Sequence, residues 1–162
     1  MKVTELIQKY PRIFPPLENG KINKNYLAIP EGWVRVLDHM FSCIQNHVDT
    51  YVTYDDMCHK ITCPQVVATD LGELFGMLKF SYEGGDAHVA GMLSMAQVMC
   101  ENICCVCSSS QDLGVVLDGL IMCCKDCYDN DKVPGSTWKS VQDIDNIFKN
   151  EPDTVTDGAQ QG

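Results

Sequence analysis

Apolar residues recur every three or four positions along two stretches of the chain, a spacing typical of amphipathic helices. The first predicted helix covers residues 31–51, and its apolar stripe consists of Trp33, Leu37, Met40, Ile44, Val48 and Tyr51. The second covers residues 87–102 and follows Asp86, a residue type that caps helices by accepting backbone N–H hydrogen bonds. Its stripe consists of Val89, Met92, Leu93, Ala96, Met99 and Ile103. Each helix is therefore expected to pack one face against a core.

Between these helices, alternating apolar and polar residues predict a β-hairpin. Residues 65–69 favour one strand, and in residues 77–82 the side chains of Leu78, Phe80 and Tyr82 share one face. Phe75-Gly76 suits the turn, whereas residues 52–64 show no clear pattern. From the two stripes and the hairpin we expect these residues to be buried: Trp33, Leu37, Met40, Ile44, Phe80, Leu93 and Met99.

A second hairpin is predicted where Asp118-Gly119 separates two β-favouring runs. Asp-Gly favours a type I′ turn, in which both central residues have positive φ. Ser136 is predicted to cap a last helix, whose apolar stripe consists of Trp138, Val141, Ile144 and Phe148. A further short helix is predicted for residues 4–10.

Together these elements predict an α+β fold, in which a helix–β-hairpin–helix body continues into a zinc ribbon and a C-terminal helix. The expected boundaries are an α+β body at residues 1–102, a zinc-ribbon module at 103–128 and a C-terminal helix at 129–149. Residues 150–162 are polar and acidic, and are expected to form a disordered tail.

The cysteines indicate a metal site within that module. Six of the ten cysteines lie between positions 104 and 127, and four of them form the pairs Cys104-x2-Cys107 and Cys124-x2-Cys127. A two-residue gap lets a tight turn direct two sulfurs at one ion, and a returning hairpin supplies the other two. We therefore predict one structural zinc bound by Cys104, Cys107, Cys124 and Cys127. Four protein ligands leave no open position for catalysis.

Other interpretations of the cysteines stay open. The cluster could consist of buried free thiols or of disulfides. Cys105 or Cys123 could replace a neighbouring ligand, although only the chosen set keeps the two-residue gap in both pairs. Cys58-His59-x3-Cys63 could be half of a second metal site, joined by His88 or Cys100, or could supply a thiol nucleophile.

Methionines at Met92, Met95 and Met99 follow helical spacing. At this spacing they are most simply core residues, and an adaptable contact surface is the alternative.

The charge of the chain narrows its classes of partner. The formal net charge is -10, and no Lys or Arg lies between Cys107 and Cys124. Because nucleic-acid binding depends on basic side chains that neutralise phosphates, we expect no nucleic-acid partner and instead a protein with a basic surface. No apolar run is long enough to span a bilayer, and the N-terminus lacks the features of a secretory signal. The expected location is the cytoplasm.

Three segments resemble a family of small uncharacterised proteins of tailed phages and prophages. Pro30-Glu31-Gly32-Trp33 is similar to the family's Gly-Trp helix start, and residues 73–80 to its EKFGGLRF-type hairpin. Residues 94–107 and 119–124 are similar to its helix, first cysteine pair and Gly-Trp-x3-Cys ending. The chain departs from the family at Ser108, where glycine is usual, and at Leu120, where tryptophan is usual.

This resemblance covers residues 30–127 and implies a phage-encoded protein in the host cytoplasm. The expected function is non-enzymatic: binding a host or viral protein, as an inhibitor or nucleic-acid mimic would. The alternatives are a zinc-ribbon regulator that contacts nucleic acid, and an enzyme of an unrecognised type.

Overall fold

The computed structural model describes residues 1–17, 19–130, 133 and 137–149, and shows a mixture of helices and small antiparallel sheets. The helices are α1 (Val3–Lys9), α2 (Val34–Thr50), α3 (Ala87–Glu101), α4 (Lys125–Asp129) and α5 (Val141–Lys149). The strands are β1 (Val52–Tyr54), β2 (Lys60–Thr62), β3 (Val67–Leu74), β4 (Met77–Glu83), β5 (Leu113–Val116), β6 (Ile121–Cys124) and β7 (Trp138–Ser140). In the part of the chain so described, no helix is long and apolar enough to cross a membrane.

The two amphipathic helices form largely where the apolar stripes predicted them. A 3-10 turn, Glu31–Trp33, precedes α2, so the regular helix begins slightly later than expected. Asp86 caps α3 as predicted, because its carboxylate accepts hydrogen bonds from the backbone N–H groups of His88 and Val89.

The first predicted hairpin is confirmed as β3 and β4, with Leu71 opposite Phe80. Its turn residues Phe75 and Gly76 have φ values of 51° and 80°, the combination that a type I′ turn requires. Within residues 52–64, which gave no clear pattern, β1 and β2 form a small hairpin of their own.

The second hairpin forms, but its turn differs from the prediction. β5 and β6 pair as an antiparallel ladder, with Val116 opposite Ile121. Positive φ is found at Leu120 (51°) and at neither Asp118 nor Gly119, so the predicted type I′ turn is wrong. Four residues connect the strands instead of two, and one left-handed residue at the end of such a loop is enough to reverse the chain.

The C-terminal helix begins later than predicted, because residues 138–140 form strand β7 along the free edge of β5. Trp138 is therefore a sheet residue, and its indole Nε1 donates to the carbonyl oxygen of Cys123 at 3.2 Å. Helix α5 follows, and the Ser140 hydroxyl accepts from the Asp143 backbone N–H at 3.0 Å. Ser136 and the predicted tail at 150–162 lie outside the described residues.

Two hydrophobic clusters form the interior. The larger one lies in residues 6–100, and the smaller one surrounds the cysteine-rich segment. Five of the expected core residues are buried: Trp33, Leu37, Met40, Ile44 and Phe80. Leu93 is half-buried, and the prediction for Met99 is wrong because 48% of this residue is exposed. The buried face of α3 is narrower than its apolar stripe and consists of Val89, Ala96 and Cys100.

The 3-10 turn before α2 joins the two clusters through hydrogen bonds of the Gly32 backbone. The Gly32 N–H donates to the Cys105 carbonyl oxygen at 2.8 Å, and the Ser108 hydroxyl donates to the Gly32 carbonyl oxygen at 2.6 Å. A Cβ atom on Gly32 would overlap the Cys104 carbonyl oxygen. The close approach therefore requires glycine at this position.

Candidate metal centre

Three local structures bring the four predicted cysteines together. Cys104 and Cys107 lie in the turn that follows α3, whereas Cys124 ends β6 and is the N-cap residue of α4. Cys127 lies in the first turn of α4. The β5–β6 hairpin returns the chain, so that all four Sγ atoms lie within 4.8 Å of one another.

The spacing of these sulfurs fits one tetrahedral metal ion. With metal–sulfur bonds of about 2.3 Å, a tetrahedral thiolate site places its sulfurs about 3.8 Å apart. The Sγ atoms of Cys107 and Cys124 are 3.7 Å apart. All ten cysteines are free, so disulfides do not account for the cluster. The four cysteines thus lie close enough to bind a metal ion.

The cluster is enclosed on one side and open on the other. Cys104, Cys124 and Cys127 are buried, whereas Cys107 is exposed. The surrounding apolar residues include Val116, Ile121 and Trp138. Such an arrangement would admit an ion from solvent and shield most of the sulfurs that could bind it.

The pKa values of Cys104, Cys124 and Cys127 are shifted in different directions. Burial raises the pKa of Cys104, but hydrogen bonds with the backbone of Cys107 and Cys124 outweigh this effect and bring the pKa to about 7. Burial raises the pKa of Cys124 and, more strongly, that of Cys127. A divalent cation would offset both the burial and the mutual repulsion of four thiolates.

The turn after Cys104 is fixed by its backbone. Ser108 N–H donates to the Cys104 carbonyl oxygen at 3.0 Å, and the Val106 N–H points at the Cys104 Sγ at 3.4 Å. Ser108 has a φ of 64°, in the left-handed region that favours glycine. The first cysteine pair is therefore followed directly by a residue in a conformation that glycine adopts more easily.

The second cysteine pair lies at a strand–helix junction and not in a second knuckle loop. This local arrangement differs from the predicted knuckle–hairpin–knuckle plan, and the zinc-ribbon assignment stays a prediction.

Neighbouring Cys105 and Cys123 are not among the clustered ligand atoms. Burial raises the pKa of Cys105 to about 12 and that of Cys123 to about 11, which leaves both thiols neutral near pH 7. The backbone of Cys105 also links the first cysteine turn to β6, since its N–H donates to the Met122 carbonyl oxygen at 2.9 Å. Both cysteines act as small apolar residues at the edge of the site.

The residues considered as half of a second metal site, Cys58-His59-x3-Cys63, do not come together. Cys58 and His59 are exposed on the loop between β1 and β2, where His59 Nδ1 lies 3.0 Å from the Asp55 carboxylate. Cys63 is buried elsewhere in that hairpin region. Among the described residues, neither Cys58 nor His59 belongs to a cluster of metal-ligand atoms.

One group of ligand atoms was missed at the level of sequence. His47, Asp86 and His88 have side-chain ligand atoms within 4.8 Å of one another, where the end of α2 meets the start of α3. From the sequence, Asp86 was expected only as a helix cap, and His88 was considered only as a partner of Cys58 and Cys63. Their meeting with His47 depends on how α2 packs against α3, which no local spacing encodes.

An apolar groove lies between α2 and α3, with a volume of about 610 Å³. Met92, Met95 and Met99 line it from α3, and Met95 is 64% exposed. The charged residue that lines it from α2, Arg35, makes no ion pair with any other residue that the structure describes. The methionine stripe is therefore largely a surface feature.

No protein-family model, curated protein or solved structure matches the chain. Its function is therefore argued from the geometry of its own residues.

Proposed function

We propose that Cys104, Cys107, Cys124 and Cys127 hold one zinc ion in a structural role. The 3.7 Å spacing of two of the sulfurs and their all-thiolate chemistry support zinc, because soft sulfur ligands in tetrahedral geometry suit this ion. Four protein ligands leave no coordination position for a substrate or an activated water. The bound ion would replace the core that this small cysteine-rich segment lacks.

The protein acts, on this proposal, without catalysis and by binding another protein. The observation that carries it is the open methionine-lined groove between α2 and α3. Methionine side chains are flexible and polarisable, and surfaces rich in them adapt to the apolar face of a partner helix. The occupant that fits is an amphipathic helix of the partner, with an acidic residue opposite Arg35.

The charge of the whole chain adds a second requirement. A net charge of -10 attracts a partner whose surface outside the groove is basic, through long-range complementary potentials. The resemblance to tailed-phage proteins would fit a partner in the cytoplasm of a bacterial host, where an acidic inhibitor or nucleic-acid mimic would act.

A nucleic-acid regulator is less well supported. The turn between β5 and β6 carries no basic residue. The nearby Lys125 is paired with Asp129, and its ammonium group lies over the rings of Tyr128 and Trp138. These contacts occupy a cation beside the second cysteine pair that could otherwise meet a phosphate.

The zinc proposal is tested by elemental analysis of the full chain, purified without chelator from zinc-replete cells. We expect the Cys104→Ser and Cys127→Ser variants each to contain one equivalent of zinc less than the wild type. Cys43→Ser, at an exposed cysteine on α2, is the control and should retain it. Absence of zinc from the wild-type protein would contradict the proposal.

The binding proposal is tested with groove variants. Full-length wild-type protein, the double variant M95E/M99E and the control M57E are used to recover bound proteins from host lysate, with quantification by mass spectrometry. Met57 is 76% exposed on the β1–β2 loop and controls for adding charge to an exposed methionine.

We expect a partner whose recovery falls at least tenfold with M95E/M99E and is unchanged with M57E. Its purified form should show the same difference in Kd. Equal recovery by all three proteins would exclude the groove as the contact surface.

A further inference from the structure

We propose that His47, Asp86 and His88 form a second metal site, which binds a divalent transition-metal ion such as Zn²⁺ independently of the cysteines. His47 lies in the last turn of α2, Asp86 caps α3, and His88 lies in the first turn of α3. Two helices packed side by side thus place three metal-binding side chains at one end of their contact.

The ligand atoms are close enough to converge on one ion. His47 Nε2 lies 2.8 Å from an Asp86 carboxylate oxygen, and the three ligand atoms lie within 4.8 Å of one another. A tetrahedral zinc with bonds of about 2.0–2.1 Å needs donors about 3.3 Å apart. Because His88 is exposed, rotation of its side chain can bring its ring nitrogen to that distance from the other two ligand atoms.

Hydrogen bonds to one carboxylate oxygen of Asp86 hold this side chain in a position to bind metal through the other. Oδ1 accepts from the backbone N–H groups of His88 and Val89, at 3.0 and 3.1 Å. Oδ2 is thereby directed at His47. A metal ion would replace the proton that these two groups share, and the fixed carboxylate would remain a ligand.

The rings around the site orient the histidines. The ring centroids of His47 and His88 are 5.1 Å apart, and that of Tyr51 is 4.7 Å from His47. His47 is largely buried, with 12% of its side chain exposed, whereas His88 faces solvent. An ion would therefore enter from the His88 side.

The donor set distinguishes this site from the cysteine cluster. Imidazole and carboxylate ligands suit borderline divalent ions, and three protein ligands leave room for water. The buried Cys63 thiol lies beside the Asp86 carboxylate but is not among the three clustered ligand atoms. Such a site binds more weakly and exchanges its ion more readily than a closed four-thiolate site.

The test measures Zn²⁺ stoichiometry of the full chain by equilibrium dialysis at pH 7.5, using the wild type, Asp86→Asn, His88→Ala and His59→Ala. Asparagine caps a helix about as well as aspartate, so Asp86→Asn removes the carboxylate while preserving α3. His59, which is exposed on the β1–β2 loop, is the matched histidine control.

We expect two equivalents for the wild type and His59→Ala, and at least tenfold weaker binding of the second equivalent in the other two variants. The second equivalent should also shift the His47 and His88 ring resonances in the NMR spectrum. A wild-type stoichiometry of one, or a second equivalent that persists in Asp86→Asn and His88→Ala, would overturn the proposal.

The Cys127→Ser variant separates this site from the cysteine site. The ring resonances of His47 and His88 should still respond to Zn²⁺ in that variant if the two sites are independent. Loss of that response in Cys127→Ser, with the variant folded by circular dichroism, would overturn the independence of the second site.

Discussion

Trp33 is 1% exposed at the start of α2, yet its indole Nε1 has no hydrogen-bond partner among the described residues. The side chain therefore contributes to stability through its apolar bulk and its packing, since the indole N–H gains nothing to offset the water that it loses on folding. The same residue belongs to the Gly-Trp pair on which the resemblance to phage proteins rests in part.

Replacing Trp33 tests this division between bulk and polarity. Trp33→Ala should lower the free energy of unfolding by about 3–5 kcal/mol, because it empties a large buried volume. Trp33→Phe should cost clearly less, because it keeps most of the ring and removes an unpaired donor. Urea denaturation followed by circular dichroism measures both changes. A loss below about 1 kcal/mol in Trp33→Ala would contradict the packing argument.

At the scale of elements, glycine decides how closely α2 approaches the cysteine turn. The Gly32 N–H donates to the Cys105 carbonyl oxygen, the Gly32 carbonyl oxygen accepts from the Ser108 hydroxyl, and any Cβ at this position would meet the Cys104 carbonyl. Gly91, in the middle of α3, has the opposite environment, because a Cβ there would meet no atom within 4 Å.

These two glycines make a matched pair of predictions. Gly32→Ala should lower the free energy of unfolding by about 1–3 kcal/mol, since overpacking forces the helix start and the cysteine turn apart. Gly91→Ala should raise it by about 0.5–1 kcal/mol, because alanine favours the helix interior. Thermal unfolding of the zinc-loaded proteins compares them. Equal effects of the two substitutions would show that the contact between Gly32 and the cysteine turn is not tightly packed.

Periodicity predicted the elements that carry a strong local signal. The stripe of α2, the cap of α3 and the Phe75-Gly76 turn all appear where the sequence indicates. Strand β7 could not be predicted for two reasons. Trp138 also fits the apolar stripe of a helix, and the pairing of β7 with β5 joins residues far apart in sequence. Pairing of this kind is decided by tertiary contacts and not by local propensity.

The same limit explains the errors on α3 and at the candidate sites. Met99 fits the apolar stripe of α3, but the buried face of this helix consists of Val89, Ala96 and Cys100 and leaves Met99 at the surface. Regular cysteine spacing was enough to indicate which sulfurs meet. No regular spacing connects His47 to Asp86, so their contact appears only in the folded molecule.

At the scale of the whole molecule, the two interior clusters differ in what holds them together. The larger cluster packs aromatic and aliphatic side chains, with Phe41 in edge contact with Phe14 and Phe80. The smaller cluster consists mostly of cysteines, with Val116 as its one fully buried aliphatic side chain among the described residues. We therefore expect a segment with so little apolar bulk to depend on the proposed metal for its stability.

Removal of the metal should therefore affect the two clusters unequally. We expect a chelator to increase amide hydrogen exchange in β5 and β6 at least tenfold, because their order depends on the four thiolates. Exchange in α2 and in the β3–β4 hairpin should change much less, because these elements are held by the larger apolar cluster. Exchange mass spectrometry of the zinc-loaded and chelated full chain measures both regions in one experiment. Acid should act as the chelator does, since protonated thiols do not bind metal. If exchange rose equally in both regions, the two clusters would form one cooperative unit that depends on the metal throughout.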